Sequence, residues 1–244
     1  MAAPALGGAC PECGTDNAAD HNYCKHCGAP LKSLALEQDL GRGFAERTRD
    51  RCLALLTADP QNPAAHYNLA LAYYHLGQTG NALRAFERTV EIEDTYPGAW
   101  FQLAVCQYKR GAMAECAAAA RRAIEQNPSS APAHFRLALA LFHLGRLEEA
   151  EHAFSATLGV DPEYVIACYH LGIIRERLDD VDGAIACFER VVDANPHDAS
   201  AHYHLGLAYK RKGLDALAMS ELAESLRLDP SDTAAAEELQ ELQR

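Results

Sequence analysis

The sequence lacks the features that would place the protein in a membrane or along a nucleic acid. No stretch approaches the roughly 18 consecutive apolar residues that a membrane-spanning helix requires. Basic residues are in the minority, with 22 Lys and Arg against 34 Asp and Glu, and the 244-residue chain has a formal net charge of −12. This balance disfavours a broad phosphate-binding surface. With 49% hydrophobic residues, the composition predicts a soluble globular protein.

Two further absences concern the compartment and the chemistry. The amino terminus, MAAPALGGAC, has neither the basic nor the apolar segment of an export signal. Nine cysteines without such a signal favour thiolates held in a reducing cytosol over a disulfide framework, so we expect a cytoplasmic protein. The sequence contains no nucleophile–base constellation, phosphate-binding loop or acidic metal pair, and it is therefore predicted to be non-enzymatic.

Two Cys-x-x-Cys pairs lie in the stretch CPECGTDNAADHNYCKHCG. Each pair is followed by a glycine, Gly14 or Gly28, and glycine tolerates the positive φ that turns backbone amides toward the sulfurs. Four thiolates in two such turns can take the tetrahedral geometry of a closed structural zinc site. The sequence therefore predicts one Zn²⁺, with the ligands Cys10, Cys13, Cys24 and Cys27.

The spacing and the glycines together resemble the zinc-ribbon family over about residues 8–32. The resemblance implies a small zinc ribbon over residues 1–33, and metal binding would supply its folding energy. The alternative is redox use of the pairs, but that use requires a surrounding βαβ pattern, which the sequence does not show. Zinc ribbons often bind nucleic acid, yet residues 1–33 carry two lysines against three acidic residues, which makes phosphate attraction weak.

From Pro63 onward the sequence repeats with a period of 34 residues. Position 7 is leucine in every unit, positions 8 and 20 are small, and position 24 is bulky in four of the five units. Glycine at position 15 and proline at position 32 are expected to end the two helices of a unit, although Asp179 and Asp94 each replace them once. The five units are 63–96, 97–130, 131–164, 165–198 and 199–232.

The repeated pattern resembles the tetratricopeptide repeat (TPR) family over 170 residues. The resemblance implies an all-α fold in which helical hairpins stack into a right-handed solenoid, or superhelix, preceded by the zinc ribbon. Residues 34–62 are predicted to form a linker and an N-terminal capping helix. Residues 233–244 are predicted to form a polar C-terminal capping helix.

In the resembled family, the first helices of successive repeats line a concave groove for a peptide or a partner helix. Three rows of side chains are carried over to this groove, each named by its position in the repeat. Row 5 is aromatic, row 9 is aliphatic where family members frequently have asparagine, and row 13 is basic or titratable. Row 5 is Tyr67, Phe101, Phe135, Tyr169 and Tyr203; row 9 is Leu71, Val105, Leu139, Ile173 and Leu207; row 13 is His75, Lys109, His143, Arg177 and Arg211.

These rows predict a protein or peptide partner that inserts apolar side chains at row 9 and meets row 13 with acidic groups. An alternative is that the row 9 side chains pack against the next helix. We therefore expect a non-enzymatic scaffold or adaptor for protein–protein interactions, with the zinc ribbon as a second docking surface. The alternative function is a nucleic-acid-associated regulatory protein that uses the ribbon.

Several remaining residues are predicted to be structural. Histidine recurs at position 4, which indicates packing rather than a ligand cluster. Arg175, at position 11, is expected to extend along apolar surface with its charge toward water. Trp100 is expected to fill the volume that Ala120 leaves at position 24. The position 4 histidines are His66, His134 and His202, and the cysteines predicted to be core residues are Cys52, Cys106, Cys116, Cys168 and Cys187.

Overall fold

A computed structural model describes residues 8–9, 16–17, 37–96 and 98–244, with side chains from Gly43 onward. Two short strands, β1 and β2, pair antiparallel with Gly8 opposite Asn17. The rest of the described chain consists of twelve helices and the turns between them, which confirms the predicted all-α fold of helical hairpins. The strands are Gly8–Ala9 and Asp16–Asn17; the helices are α1 Glu37–Ala58, α2 Pro63–His75, α3 Thr79–Ile92, α4 Ala99–Lys109, α5 Met113–Gln126, α6 Ala131–His143, α7 Leu147–Val160, α8 Val165–Arg177, α9 Val181–Ala194, α10 Ala199–Arg211, α11 Asp215–Leu228 and α12 Thr233–Leu242.

The helices belong to two compact units, Met1–Arg146 with α1 to α6 and Leu147–Arg244 with α7 to α12. In the first unit, each helix from α2 to α5 packs against the helix before it and the helix after it. In the second unit, α8 to α11 do the same, and α12 packs against α11. Each unit is thus a stack in which sequence neighbours are also spatial neighbours.

The second residue after every first helix of a repeat has positive φ. The residue at position 15 has φ between 65° and 77° in all five repeats, and four of these residues are glycine. The exception is Asp179, with φ 65°. Aspartate visits this left-handed region more readily than most residues, so the turn is kept where the glycine is missing.

The amino ends of three of the five first helices, α2, α6 and α10, are fixed by the side chain that precedes the helix, at position 34. Asn62, Ser130 and Asp198 each accept the backbone N–H of the third helical residue, at 3.0, 3.3 and 3.1 Å. Such caps satisfy amides that have no partner within the helix. Helices α4 and α8 have no side-chain cap: α4 begins after Gly98, whose φ is 76°, and α8 begins after Tyr164.

The core of each repeat is built from the small and bulky positions that the sequence pattern indicated. In the first repeat, Ala70, Ala82 and Phe86 are fully buried. Trp100 packs on the same core cluster that contains Ala120. The five cysteines of the helices are buried and free, which confirms the prediction that they are core residues.

Candidate functional site

Charge is unequally divided between the two helices of the repeats. The first helices (α2, α4, α6, α8 and α10) contain six Lys and Arg but one acidic residue, Glu176. The second helices (α3, α5, α7, α9 and α11) contain thirteen acidic residues against six arginines. The first helices are therefore basic within a protein whose net charge is −12.

In the first unit, the row 13 side chains Lys109 and His143 contact position 12 of the preceding repeat. Lys109 Nζ lies 4.2 Å from the centroid of the Tyr74 ring. The Tyr108 hydroxyl lies 2.9 Å from His143 Nε2, and the guanidinium carbon of Arg136 lies 4.9 Å from the centroid of the Tyr108 ring. A cation close to an aromatic ring is attracted by the negative face of its π system. These contacts hold row 13 against its neighbouring repeat.

Position 12 also faces the groove in the resembled family, but the sequence analysis named residues only for rows 5, 9 and 13, although position 12 is aromatic in three successive repeats. Tyr74, Tyr108 and Phe142 occupy it in the first unit, and all three are partly buried. A search for rows of one chemical type, extended to every position of the repeat, would have found it.

In the second unit, a cleft of about 570 Å³ lies among α8, α10 and α12. Leu207 of row 9 and both row 13 arginines of this unit line it, so the structure brings together residues that the sequence analysis placed in the groove. The lining residues are Glu176, Arg177, Leu207, Lys210, Arg211 and Glu238.

The cations of this cleft have contacts within the protein. Arg211 donates to the Glu176 carbonyl at 2.8 Å and to the Asp179 carboxylate at 2.6 Å. Lys210 donates to Glu238 at 2.7 Å and to Glu241 at 2.5 Å. These ion pairs are partly exposed to water, which screens them, and the carboxylates of a ligand can compete for the same donors.

Row 5 and row 9 differ in exposure from row 13. In row 5, Phe135 is buried and the other members are half-buried; Tyr67 packs on Phe86 with ring centroids 5.5 Å apart. In row 9, Leu139 is 8% exposed and belongs to the core, whereas the other four members are half-buried. All five row 13 side chains are exposed.

The position 4 side chains bond to the preceding loop. His66, His134 and His202 place Nε2 at 3.0, 2.9 and 3.1 Å from the carbonyl oxygen of the residue six positions earlier. In the second repeat, Trp100 Nε1 donates to the Asp94 carbonyl at 2.8 Å. The predicted structural role of these histidines is confirmed, and the tryptophan performs the same role.

Arg175 is held by acidic neighbours rather than by water alone. Its Nε lies 3.2 Å from Glu151 and 3.6 Å from Asp180, and its guanidinium also lies 3.4 Å from the Gly183 carbonyl. The sequence analysis expected the charge to extend to solvent, but these partly buried ion pairs bind it to α7 and α9. Its contacts are those of a structural arginine.

The residues predicted to bind zinc, Cys10, Cys13, Cys24 and Cys27, lie outside the described residues. Among the residues that are described, no group of three or more His, Cys, Asp or Glu could hold a metal ion.

Burial raises the pKa of Cys106, Cys116 and Cys187 to about 11, so these thiols stay protonated at neutral pH. No helix within the described ranges is long and apolar enough to cross a membrane.

Profiles of known families match most of the helical region. The profile described as "Tetratricopeptide repeat" matches residues 135–186 and 169–233. Residues 135–233 carry tetratricopeptide repeats. Two other profiles match the chain further toward its amino end: "Anaphase-promoting complex, cyclosome, subunit 3" matches residues 77–157, and "Bacterial transcriptional activator domain" matches residues 31–95. No curated protein matches the chain in sequence.

Solved TPR-like structures share the fold. YrrB, described as "a TPR protein with an unusual peptide-binding site", aligns over 76% of this chain and 96% of its own, with a TM-score of 0.70 and 16% identity. MamA from Desulfovibrio magneticus aligns over 70% of this chain and 97% of its own, with a TM-score of 0.64 and 19% identity. PilF from Pseudomonas aeruginosa aligns over 84% and 91%, with a TM-score of 0.66 and 16% identity. At these identities, the likeness shows the fold alone.

Proposed function

We propose that this TPR protein is a non-enzymatic interaction scaffold whose first helices bind a partner segment with apolar and acidic side chains. The observation that carries the proposal is the basic character of the first helices in an acidic protein. Charge complementarity of this kind attracts an acidic partner and fixes its orientation. The described peptide-binding site of YrrB, a protein of similar fold, is consistent with this use.

The cleft of the second unit offers both parts of the proposed recognition. Leu207 supplies an aliphatic surface, and Arg177 and Arg211 lie beside it. Burying one aliphatic side chain of the ligand against such a surface contributes about 1.5–3 kcal/mol. The arginines would select for nearby carboxylates on the ligand, because a guanidinium matches a carboxylate geometrically.

Selection from a random peptide library displayed on phage would test this proposal. We expect selected peptides to be enriched in Asp and Glu next to Leu, Ile or Phe. The variants Leu207→Asn and Arg177→Glu should each weaken the binding of a selected peptide about tenfold, equivalent to about 1.4 kcal/mol. Arg84→Glu, the same charge change at an exposed position of α3, is the matched control and should leave affinity unchanged.

Two results would contradict the proposal. Selected peptides without acidic residues would refute the partner chemistry. Equal affinity in all three variants would place the binding surface away from the cleft. Binding of single-stranded DNA or RNA that is lost on Cys24→Ser, Cys27→Ser would favour the alternative in which the ribbon binds nucleic acid, and its affinity should decrease steeply as salt rises.

We further propose that residues 1–33 form a structural zinc ribbon that gives the scaffold a second docking surface. The support is the cysteine spacing together with β1 and β2, which pair antiparallel and flank the stretch containing Cys10 and Cys13. Zinc ligands in such small domains are supplied as thiolates, which persist in a reducing compartment. The proposal therefore includes a cytoplasmic location.

Metal analysis of purified, reduced protein tests the ribbon. We expect one zinc per chain, and a Cys24→Ser, Cys27→Ser variant should contain none. The matched control, Cys52→Ser, changes a buried cysteine of α1 and should retain the full zinc content. Zinc near zero in the unaltered protein, or a Cys10–Cys13 disulfide in its resting state, would exclude the structural zinc site.

A further inference from the structure

The C-terminal helix α12 packs against α11 and forms ion pairs with α10. Ala235 is its buried residue, fully covered. Glu238 and Glu241, one turn apart, both reach Nζ of Lys210 on α10, at 2.7 and 2.5 Å. Asp232 caps its amino end by accepting the amides of Ala234 and Ala235. The attachment therefore combines the buried Ala235, the half-buried Leu239 and Leu242, and two partly exposed ion pairs.

Helix α12 occupies the place of a first helix in a sixth repeat, but it lacks features of the others. Ala235 is at position 3, which is alanine in all five repeats, and Leu239 is at position 7. Position 8, always Ala or Gly in the repeats, is Gln240, and the aromatic position 5 is Glu237. Without a small residue at position 8, α12 cannot accept a second helix at close distance.

The carboxylates of α12 face the same cations that line the cleft. Glu238 is itself a lining residue, together with Arg177, Lys210 and Arg211 of α8 and α10. Helix α12 thus presents acidic groups to the basic surface of the first helices. It has the chemistry that the proposed function assigns to the partner, and the inference below rests on that proposed function.

We infer that the surface of α10 and α11 beneath α12, the α12 seat, is a docking site for an acidic helix of a partner protein. Helix α12 fills the seat until the partner displaces it. The partner helix would carry a small residue followed three and six positions later by carboxylates, as do Ala235, Glu238 and Glu241. Exchange is feasible because a helix of ten residues is marginally stable in water by itself, and water reaches both ion pairs.

Fluorescence polarisation with a labelled peptide of residues 230–244 tests this inference on the full-length protein. The variant Glu238→Lys, Glu241→Lys repels its own α12 from Lys210 without altering the buried Ala235. We expect this variant to bind the peptide at least tenfold more tightly than the unaltered protein does. Glu237→Lys, on the exposed side of the same helix, is the control and should bind like the unaltered protein.

A charge exchange gives a second, independent measurement. Lys210→Glu protein should bind a peptide that carries Glu238→Lys and Glu241→Lys, and it should reject the natural peptide. Circular dichroism of each variant should show unchanged helix content. Peptide affinity that is the same in the double variant, the Glu237→Lys control and the unaltered protein would overturn the inference.

Two outcomes separate this inference from others. If library-selected peptides still depend on Leu207 and Arg177 while the α12 peptide binds no variant, the α12 seat is refuted and the proposed function stands. If the unaltered protein forms a dimer that dissociates on Glu238→Lys, Glu241→Lys, a second copy of this chain fills the seat, and the inference of a partner protein is overturned. Sedimentation velocity distinguishes the latter case.

Discussion

At the scale of single residues, His202 makes more contacts than its counterparts in other repeats. It is 6% exposed, its Nδ1 lies 2.7 Å from Glu221 and its Nε2 lies 3.1 Å from the Pro196 carbonyl. His134 has the carbonyl contact but is more exposed. The same residue type at the same position therefore contributes differently to the stability of the two repeats.

We expect His202→Ala to lower the free energy of unfolding by about 1–3 kcal/mol, because it leaves a partly buried carboxylate without its partner. His134→Ala should cost about 0.5–1 kcal/mol, the usual net value of one hydrogen bond. Urea denaturation followed by circular dichroism measures both. An equal loss in the two variants would show that the Glu221 contact adds nothing.

The thiols of the helices should be inert in the folded protein. Burial raises the pKa of Cys106 and Cys116 from 9.0 to about 11, and the thiolate is the reactive form. At pH 8, with a zinc chelator present, we expect four thiols of the nine to react rapidly with a disulfide reagent. The remaining five should react only when the helices unfold.

The same thiols predict how stability changes at alkaline pH. Their folded-state pKa lies above the unfolded value, so the unfolded chain loses protons first as pH rises. Stability should therefore be constant up to about pH 9 and decrease between pH 9 and 11. Replacing Cys106 by Ala should reduce this decrease, as urea titrations at pH 8 and 10.5 would show.

At the scale of helices, the distance between the two helices of a repeat decides what position 8 tolerates. A Cβ added to Gly172 would lie 2.7 Å from two ring carbons of Phe188, which is fully buried and stacked on His204. At Gly159 in α7, an added Cβ would meet nothing within 4 Å. Both glycines are helical, so their intrinsic preferences are alike.

We expect Gly172→Ala to destabilise the protein by about 1–3 kcal/mol through overpacking. Gly159→Ala should instead stabilise it by about 0.5–1 kcal/mol, because alanine has the higher helix propensity. Thermal denaturation of the two variants gives the comparison. Stabilisation by both would mean that Phe188 moves aside and that α8 and α9 are not in close contact.

At the scale of the whole molecule, the repeats and the proposed ribbon should be separable. The described repeats bury their own cores and use no cysteine from the amino-terminal segment. Removing zinc with a chelator should therefore leave the helical circular dichroism nearly unchanged. Collapse of the helical thermal transition on chelation would show instead that the ribbon is an integral cap of the repeats.

The sequence by itself determined the all-α repeat fold, because its information is local. The sequence shows a 34-residue period, small or bulky residues at fixed positions, and a turn residue at position 15. Each of these features acts on residues that are close along the chain. Asp179 forms the same turn as the glycines at position 15 of the other repeats. Its φ is 65°, and aspartate tolerates this left-handed region.

Only the tertiary structure decided which side chains meet across repeats. Three such contacts involve a basic side chain. Lys109 lies on the Tyr74 ring, and Arg175 lies between Glu151 and Asp180. Lys210 pairs with Glu238 and Glu241 of another helix. Their distances depend on how closely and at what angle the helices pack, which a repeat pattern does not specify. For the same reason, Leu139 proved to be core while Leu207 of the same row lines a cleft.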